Sequence, residues 1–141
     1  VFPQTIGTNW TAVVGVDLSG GLPVSNTAIL GTNTADFTPI FMTTSGDIGV
    51  YGSTGIDVSG ANTPNVTTAT TKIGVRKSNS VWTFKKDATL GPEVAGQPAP
   101  PSHVSQAIGS SPDGSFVRAN FPISTVQIWD RALSDVEFAN A

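Results

Sequence analysis

Turn-forming residues interrupt this chain about every ten residues, and short runs of alternating apolar and polar side chains lie between them. That spacing leaves no room for long helices. Composition reinforces the point: 18 Thr, 14 Ser, 8 Asn and 15 Gly, all poor helix formers, make up 55 of the 141 residues. A chain of this length has the size of one domain, spanning 1–141.

The clearest run is Trp10–Leu18. Trp10, Ala12, Val14, Val16 and Leu18 share one parity, so one face of a strand is apolar. Thr27–Gly31, Ile48–Tyr51, Gly55–Val58 and Val104–Ile108 are predicted strands. So is Phe37–Met42, where Pro39 requires an edge or a bulge. Lys72–Lys77 and Val81–Lys86 flank Ser78-Asn79-Ser80 as a hairpin. Residues 1–8 form an N-terminal arm or a first edge strand, and 91–103 a Pro-rich surface loop. Ile123–Trp129 is the last strand, with Ile123, Thr125, Gln127 and Trp129 on one face. Ser134-Asp135-Val136-Glu137 then reads as a capping box that starts a short helix. The expected fold is all-β: an antiparallel β-sandwich, or jelly roll, of about ten short strands with one short C-terminal helix.

Several chemistries are excluded by what is missing. There is no Cys, hence no disulfide and no thiolate nucleophile or ligand. His103 is the only histidine, and it falls at the end of the Pro-rich loop with no G-x-S-x-G elbow to serve. A net charge of −3 argues against nucleic acid as a partner. No apolar run reaches the 18 residues or so of a membrane span. Hydrolysis of glycosides needs two positioned carboxyls, and the only two Glu are Glu93 in the Pro-rich loop and Glu137 in the capping box. The expectation is therefore no catalytic residue, no enzyme and no cofactor. A structural calcium remains an alternative, with Asp17, Asp36, Asp47 and Asp57 as oxygen donors. As plain turn residues, each would bond its own backbone.

Binding is better represented. Five of the seven basic residues lie in the central hairpin: Lys72, Arg76, Lys77, Lys85 and Lys86. Together with Trp82 they form a candidate positive patch with an aromatic platform, suited to an acidic glycan or a neighbouring subunit. Tyr51 is a second candidate platform. The competing reading places Trp82 in the core with Phe84, which shares its face, and treats the cations as a solvated surface. Two glycosylation sequons occur, at Asn9-Trp10-Thr11 and Asn65-Val66-Thr67.

The segment Ile123–Phe138, ISTVQIWDRALSDVEF, resembles the closing motif of concanavalin A-like, laminin-G-like jelly-roll domains. In that group a last strand of I-x-x-V-x-I-Y/W-D/N-R-A-L-S type runs into a short S-x-x-E-I helix. The resemblance implies that Asp130-Arg131 turns the chain off the strand, Ala132 and Leu133 plug the end of the sandwich, and Phe138 packs back. The hairpin departs from the group's pattern, lacking Trp-His in Thr71–Val75 and Asp-Gly in Thr83–Ala88. Two functions are compatible with it. The first expectation is a non-enzymatic decoration module on a larger assembly, foremost a phage capsid or tail, contacting protein subunits or a second copy of itself. The alternative is a carbohydrate-binding, lectin-like adhesion module that takes surface glycans. The composition fits a virion surface or an extracellular setting.

Overall fold

The structure is a computed structural model that describes residues 4–32, 37–52, 56–58, 65–95, 103–110 and 117–141. The described strands are β1 (Gln4–Ile6), β2 (Trp10–Val16), β3 (Thr27–Thr32), β4 (Phe37–Met42), β5 (Ile48–Gly52), β6 (Ile56–Val58), β7 (Lys72–Ser78), β8 (Val81–Lys86), β9 (Thr89–Leu90), β10 (His103–Ile108), β11 (Val117–Arg118) and β12 (Ile123–Trp129). The helix among the described residues is α1 (Asp135–Asn140). The strands form two sheets. One runs β1-β10-β3-β4-β5-β6 with β11 also beside β3, and the other runs β12-β2-β7-β8-β9. All pairings are antiparallel except β11 with β3. The expected all-β sandwich with a short C-terminal helix is the observed fold.

The alternation in β2 builds the core. Trp10, Ala12, Val14 and Val16 face the other sheet and meet Ile29, Leu30, Ile40, Met42, Ile48 and Val50 across the gap. The opposite face of β2 is buried too. Val13 packs with Leu133 and Phe138 in a second cluster. Every residue of β2 is therefore inside, with the other sheet on one side and the C-terminal segment on the other.

Pro39 sits in an interior strand, since β4 pairs with both β3 and β5. The register shifts between Thr38 and Phe41, so the missing amide is absorbed by a bulge and not by an edge. A second shift, between Ile123 and Thr125, acts on β12. It turns Ile123 to the main core beside Val126 and Ile128, while Trp129 packs on the second cluster. The hairpin turn is tighter than expected: Ser78 pairs with Val81, and Asn79 takes a left-handed φ of 53°. Residues 4–6 are the edge strand β1, paired with β10. His103 opens β10 instead of ending a loop. The Pro-rich stretch 96–102 and the turn at 111–114 lie outside the described residues. Before them, Val94 and Trp82 exchange two backbone hydrogen bonds of 2.9 Å, which lays the chain along β8.

The capping box forms as the sequence requires. Ser134 Oγ accepts from the Glu137 amide, and the Glu137 carboxylate accepts from the Ser134 amide. Phe138 packs back as expected, but Leu133 does not plug the end of the sandwich. They cover the outer face of the five-stranded sheet.

Candidate functional site

The central hairpin does not present a basic surface. Its two faces alternate strictly, and both are covered. On the outer face, Arg76 is 7 % exposed. Its guanidinium donates to Leu133 O (3.0 Å), Asp135 Oδ1 (2.6 Å) and Thr83 Oγ1 (3.1 Å). Lys85, also on this face and fully buried, donates from Nζ to Phe138 O (2.8 Å) and Ala141 O (2.9 Å). Both cations lie over the Phe138 ring, at 5.4 and 5.5 Å from its centroid. Gly74 lies beneath the same ring: a Cβ there would come within 3.0 Å of Phe138 Cε2. These residues form the seat of α1. The helix has no basic residue in its last turn, so Lys85 supplies the cation that its carbonyl end favours.

The inner face holds Lys77 and Trp82, opposite each other and both fully buried. Trp82 meets Trp10 edge-on, with ring centroids 5.7 Å apart. It is thus a core residue and offers no stacking platform in this structure. Lys86 is half-buried and donates to Asn65 O (2.5 Å). Tyr51 is half-buried on β5 in the other sheet, so the structure does not bring it together with the hairpin. The expected patch of Arg76, Lys77, Lys85 and Lys86 around Trp82 is therefore corrected. Burial commits Arg76, Lys77, Lys85 and Trp82 to internal contacts.

The burial of Lys85 is measurable. It pushes the ammonium down to about 8, with Lys72 adding to the effect and Asp87 opposing it. In an unfolded chain a lysine titrates near about 10.4. Between those two values the unfolded state binds more protons, so Lys85 makes folding more favourable as pH rises from about 8 to about 10.4. Below that window it contributes no slope. The stability difference between wild type and Lys85→Met, measured by urea denaturation, is expected to grow across this window. A difference that stays flat would show that Lys85 is solvated.

The acidic candidates for calcium are turn residues where they are described. Asp17 Oδ1 accepts from the Ser19 amide (3.0 Å), and this bonding to Ser19 holds its carboxyl below the usual range. Asp47 Oδ2 accepts from Thr43 Oγ1 (3.3 Å). Asp36 and the Asp57 side chain lie outside the described residues. Among the described residues no three acidic or His side chains come together as a metal site.

Among the described residues, two surface clefts bear on a site. One, of about 540 Å³, lies between the hairpin and the C-terminal segment, lined by Arg76, Glu93, Arg131, Asp135 and Glu137 among others. Its charges answer one another. Arg131 grips Glu137 at 2.7 and 3.0 Å, and that bonding takes the Glu137 carboxyl down to about 2.

The other cleft is different. The place beside β3 is shared by two strands: β10 pairs with Leu30–Thr32, and β11 pairs in parallel with Thr27 and Ala28. Where β10 gives way to β11, a cleft of about 370 Å³ forms, lined by Ile108, Gly109, Ser110, Arg118, Ala119, Phe121 and Ile123. Gly109 takes a φ of 71°, turning the chain out of β10; its amide donates to Ile29 O and its carbonyl accepts from the Ala119 amide. This brace fixes the backbone that carries Arg118. Arg118 is exposed, and among the described residues its side chain has no hydrogen bond or ion pair. It differs in this from Arg76 and Arg131. Ile108, 47 % exposed, and half-buried Phe121 supply an apolar wall. The volume lies in the ordinary range for small-ligand clefts, about 300–1,000 Å³. A free guanidinium beside an apolar wall suits a ligand that carries both a carboxylate and a nonpolar group. Sequence reasoning did not single out Arg118. The available signal was that it is the one arginine outside the hairpin and the closing motif.

No family model matches the sequence, and no curated protein does. Solved structures do match. The NanB sialidase of Streptococcus pneumoniae superposes with a TM-score of 0.69 at 18 % identity, over 98 % of this chain and 26 % of that one. The leech intramolecular trans-sialidase gives 0.60 at 14 % identity, over 96 % and 23 %. This chain thus spans about a quarter of those enzymes. The CBM40 of the Ruminococcus gnavus IT-sialidase, solved bound to α2,3-sialyllactose, gives 0.64 at 14 % identity, over 95 % of this chain and 82 % of that one. The same CBM40 is also solved with α2,6-sialyllactose. This chain is similar to them in fold, as a β-sandwich.

Proposed function

We propose that this chain is a non-catalytic carbohydrate-binding module, and that it takes acidic, sialylated glycans in the Arg118 cleft. The observation that carries this reading is Arg118 itself: exposed, braced through Ala119 and Gly109, and without a partner among the described residues. Its guanidinium would take the sugar carboxylate in a fork, and Ile108 and Phe121 would face the nonpolar substituents. Likeness to a sialyllactose-bound CBM40 over 82 % of that chain supports the reading. Likeness to sialidases covers about a quarter of those proteins, so it favours an appended module over the enzyme. The described Glu residues agree. Glu137 is held by Ser134 and Arg131, and Glu93 lies 3.9 Å from Arg76. Neither lines the Arg118 cleft. The setting that follows is extracellular. The virion expectation finds no support in the neighbours named above.

The test is calorimetric titration with 3′-sialyllactose and with lactose. Sialyllactose is expected to bind and lactose not. Arg118→Ala removes a charge-assisted pair of about 1.5–3 kcal/mol, so affinity should fall about 10- to 100-fold with the melting curve unchanged. Arg118→Lys should restore part of it. Equal affinity for both sugars, or no loss in the Ala variant, would refute the assignment.

A further inference from the structure

The five-stranded sheet ends on β12, which pairs with β2 on one side and, among the described residues, with no strand on the other. Outward-pointing backbone amides and carbonyls therefore stand open along it. Natural sheet edges are ordinarily blunted by shortness, charge or proline. The other edges among the described strands follow that rule. β1 and β6 have three residues each, and β9 has two, set against Lys85 and Lys86. β12 has seven, and ISTVQIW carries neither charge nor proline. Its bulge lies at the start, between Ile123 and Thr125; from Thr125 to Trp129 the register with β2 is unbroken.

The side chains record the same open edge. On the inner face Val126 and Ile128 stand beside Val14 and Ala12 of β2. Val14 and Ala12 are 0 % exposed, whereas Val126 and Ile128 are half-buried although they pack against the same core. On the outer face Thr125 and Gln127 are exposed and Trp129 is half-buried. A strand laid beside β12 would complete the cover of Val126, Ile128 and Trp129.

We propose that β12 is a docking edge for a second copy of this chain, joining two five-stranded sheets into one. Length and pattern select that occupant. The other described edges offer two or three residues, whereas β12 offers its own regular stretch of five. Set antiparallel about a twofold axis at Gln127, Thr125–Trp129 of the two copies match residue for residue. Val126 then faces Ile128 on the inner side, apolar against apolar. On the outer side Trp129 faces Thr125, an aromatic against a β-branched residue. The two Gln127 amides meet at the axis, where each can donate and accept. A contact of this kind belongs with the small interfaces, below about 1,200 Å² in total, so the dimer is expected to be weak, with a micromolar Kd. Ile123 also lines the Arg118 cleft. The pairing thus puts one cleft at each end of the joined strands, about 25 Å apart at about 3.3 Å per residue. If those clefts hold sialylated glycans, a point that rests on the function proposed above, the dimer is a bivalent module that gains avidity for clustered glycans.

Sedimentation equilibrium in low salt, without sugar, tests this. The mean mass should climb from one copy toward two as protein rises through the micromolar range. Gln127 is exposed and lies on the axis, so Gln127→Lys sets two ammonium groups face to face without touching the core. It should keep the parent's melting curve at low protein concentration and weaken the dimer about tenfold. Gln127→Glu should do the same. An equimolar mixture of the two variants should recover the dimer, because Lys then faces Glu. A chain that stays monomeric throughout would overturn the proposal and leave the edge to a strand of some other protein. So would a dimer equally strong in either variant, or a mixture no stronger than each variant alone. The glycan reading fails or stands separately: loss of sialyllactose binding would leave these masses unchanged, and a monomeric chain would leave the Arg118 titrations as they are.

Discussion

Trp82→Ala should cost about 3–5 kcal/mol of folding stability, the usual range for truncating a large buried aromatic, and should leave glycan affinity unchanged in the molecules that remain folded. Trp82 is wholly buried, edge-on to Trp10 at 5.7 Å, and packed in the main core with Phe84. Its removal opens a large void between the sheets, which surrounding strands fill only in part. Trp82→Phe should fall well short of that loss, because it keeps an aromatic ring in the site and deletes an N–H that has no acceptor among the described residues. The measurement pairs urea denaturation with sialyllactose titration below the denaturation range. A stable Trp82→Ala protein with weakened sugar binding would restore the hairpin as a ligand surface and displace the cleft at Arg118.

That outcome matters because the hairpin is where sequence and structure part. The strands themselves were legible. Parity in Trp10–Leu18 identified the core face of β2 residue by residue, and the Ser134–Glu137 capping box marked the start of α1. Both signals are local, so backbone periodicity and capping chemistry suffice to read them. The basic residues misled because charge is ordinarily a mark of surface. Parity did contain a warning. Lys77 shares its face with Ile73 and Val75, both fully buried. Its partners, carbonyls at Thr8 and Asn79, come from loops whose approach no periodicity encodes. Lys85 is satisfied by a helix 53 residues further on, at Phe138 O. Arg118 was illegible for another reason. It belongs to a two-residue strand, too short for any pattern, and the role proposed for it rests on the gap between β10 and β11. Bulges add a third kind of loss. The shift at Ile123 reverses the face that strict alternation assigns, so Ile123 joins the main core while Trp129 does not.

Phe138→Ala should also cost about 3–5 kcal/mol, through a different mechanism: loss of the whole C-terminal seat. The ring is fully buried between the cations of Arg76 and Lys85 and above Gly74. Cation–π contacts of this kind are worth about 0.5–2 kcal/mol each, over and above the burial of the ring. Without the ring, α1 has six residues and a capping box to hold it. Isolated helices shorter than about 12–15 residues are marginal in water, so the segment should undock. Undocking would strip Val13 of cover and leave Arg76 and Lys85 without the Leu133 and Phe138 carbonyls they now hold. Hydrogen exchange should therefore show lost protection at the Phe138 and Ala141 amides, which now bond Ser134 O and Glu137 O, together with a lowered urea midpoint. Glu137→Ala sets the scale for comparison. It deletes the reciprocal half of the capping box and the Arg131 pair but keeps the ring and the Ser134 cap itself, so it should lower the urea midpoint far less than Phe138→Ala does. If Phe138→Ala proved no worse than Glu137→Ala, the helix would be held by its cap. The hairpin cations would then have to be explained without the ring they flank.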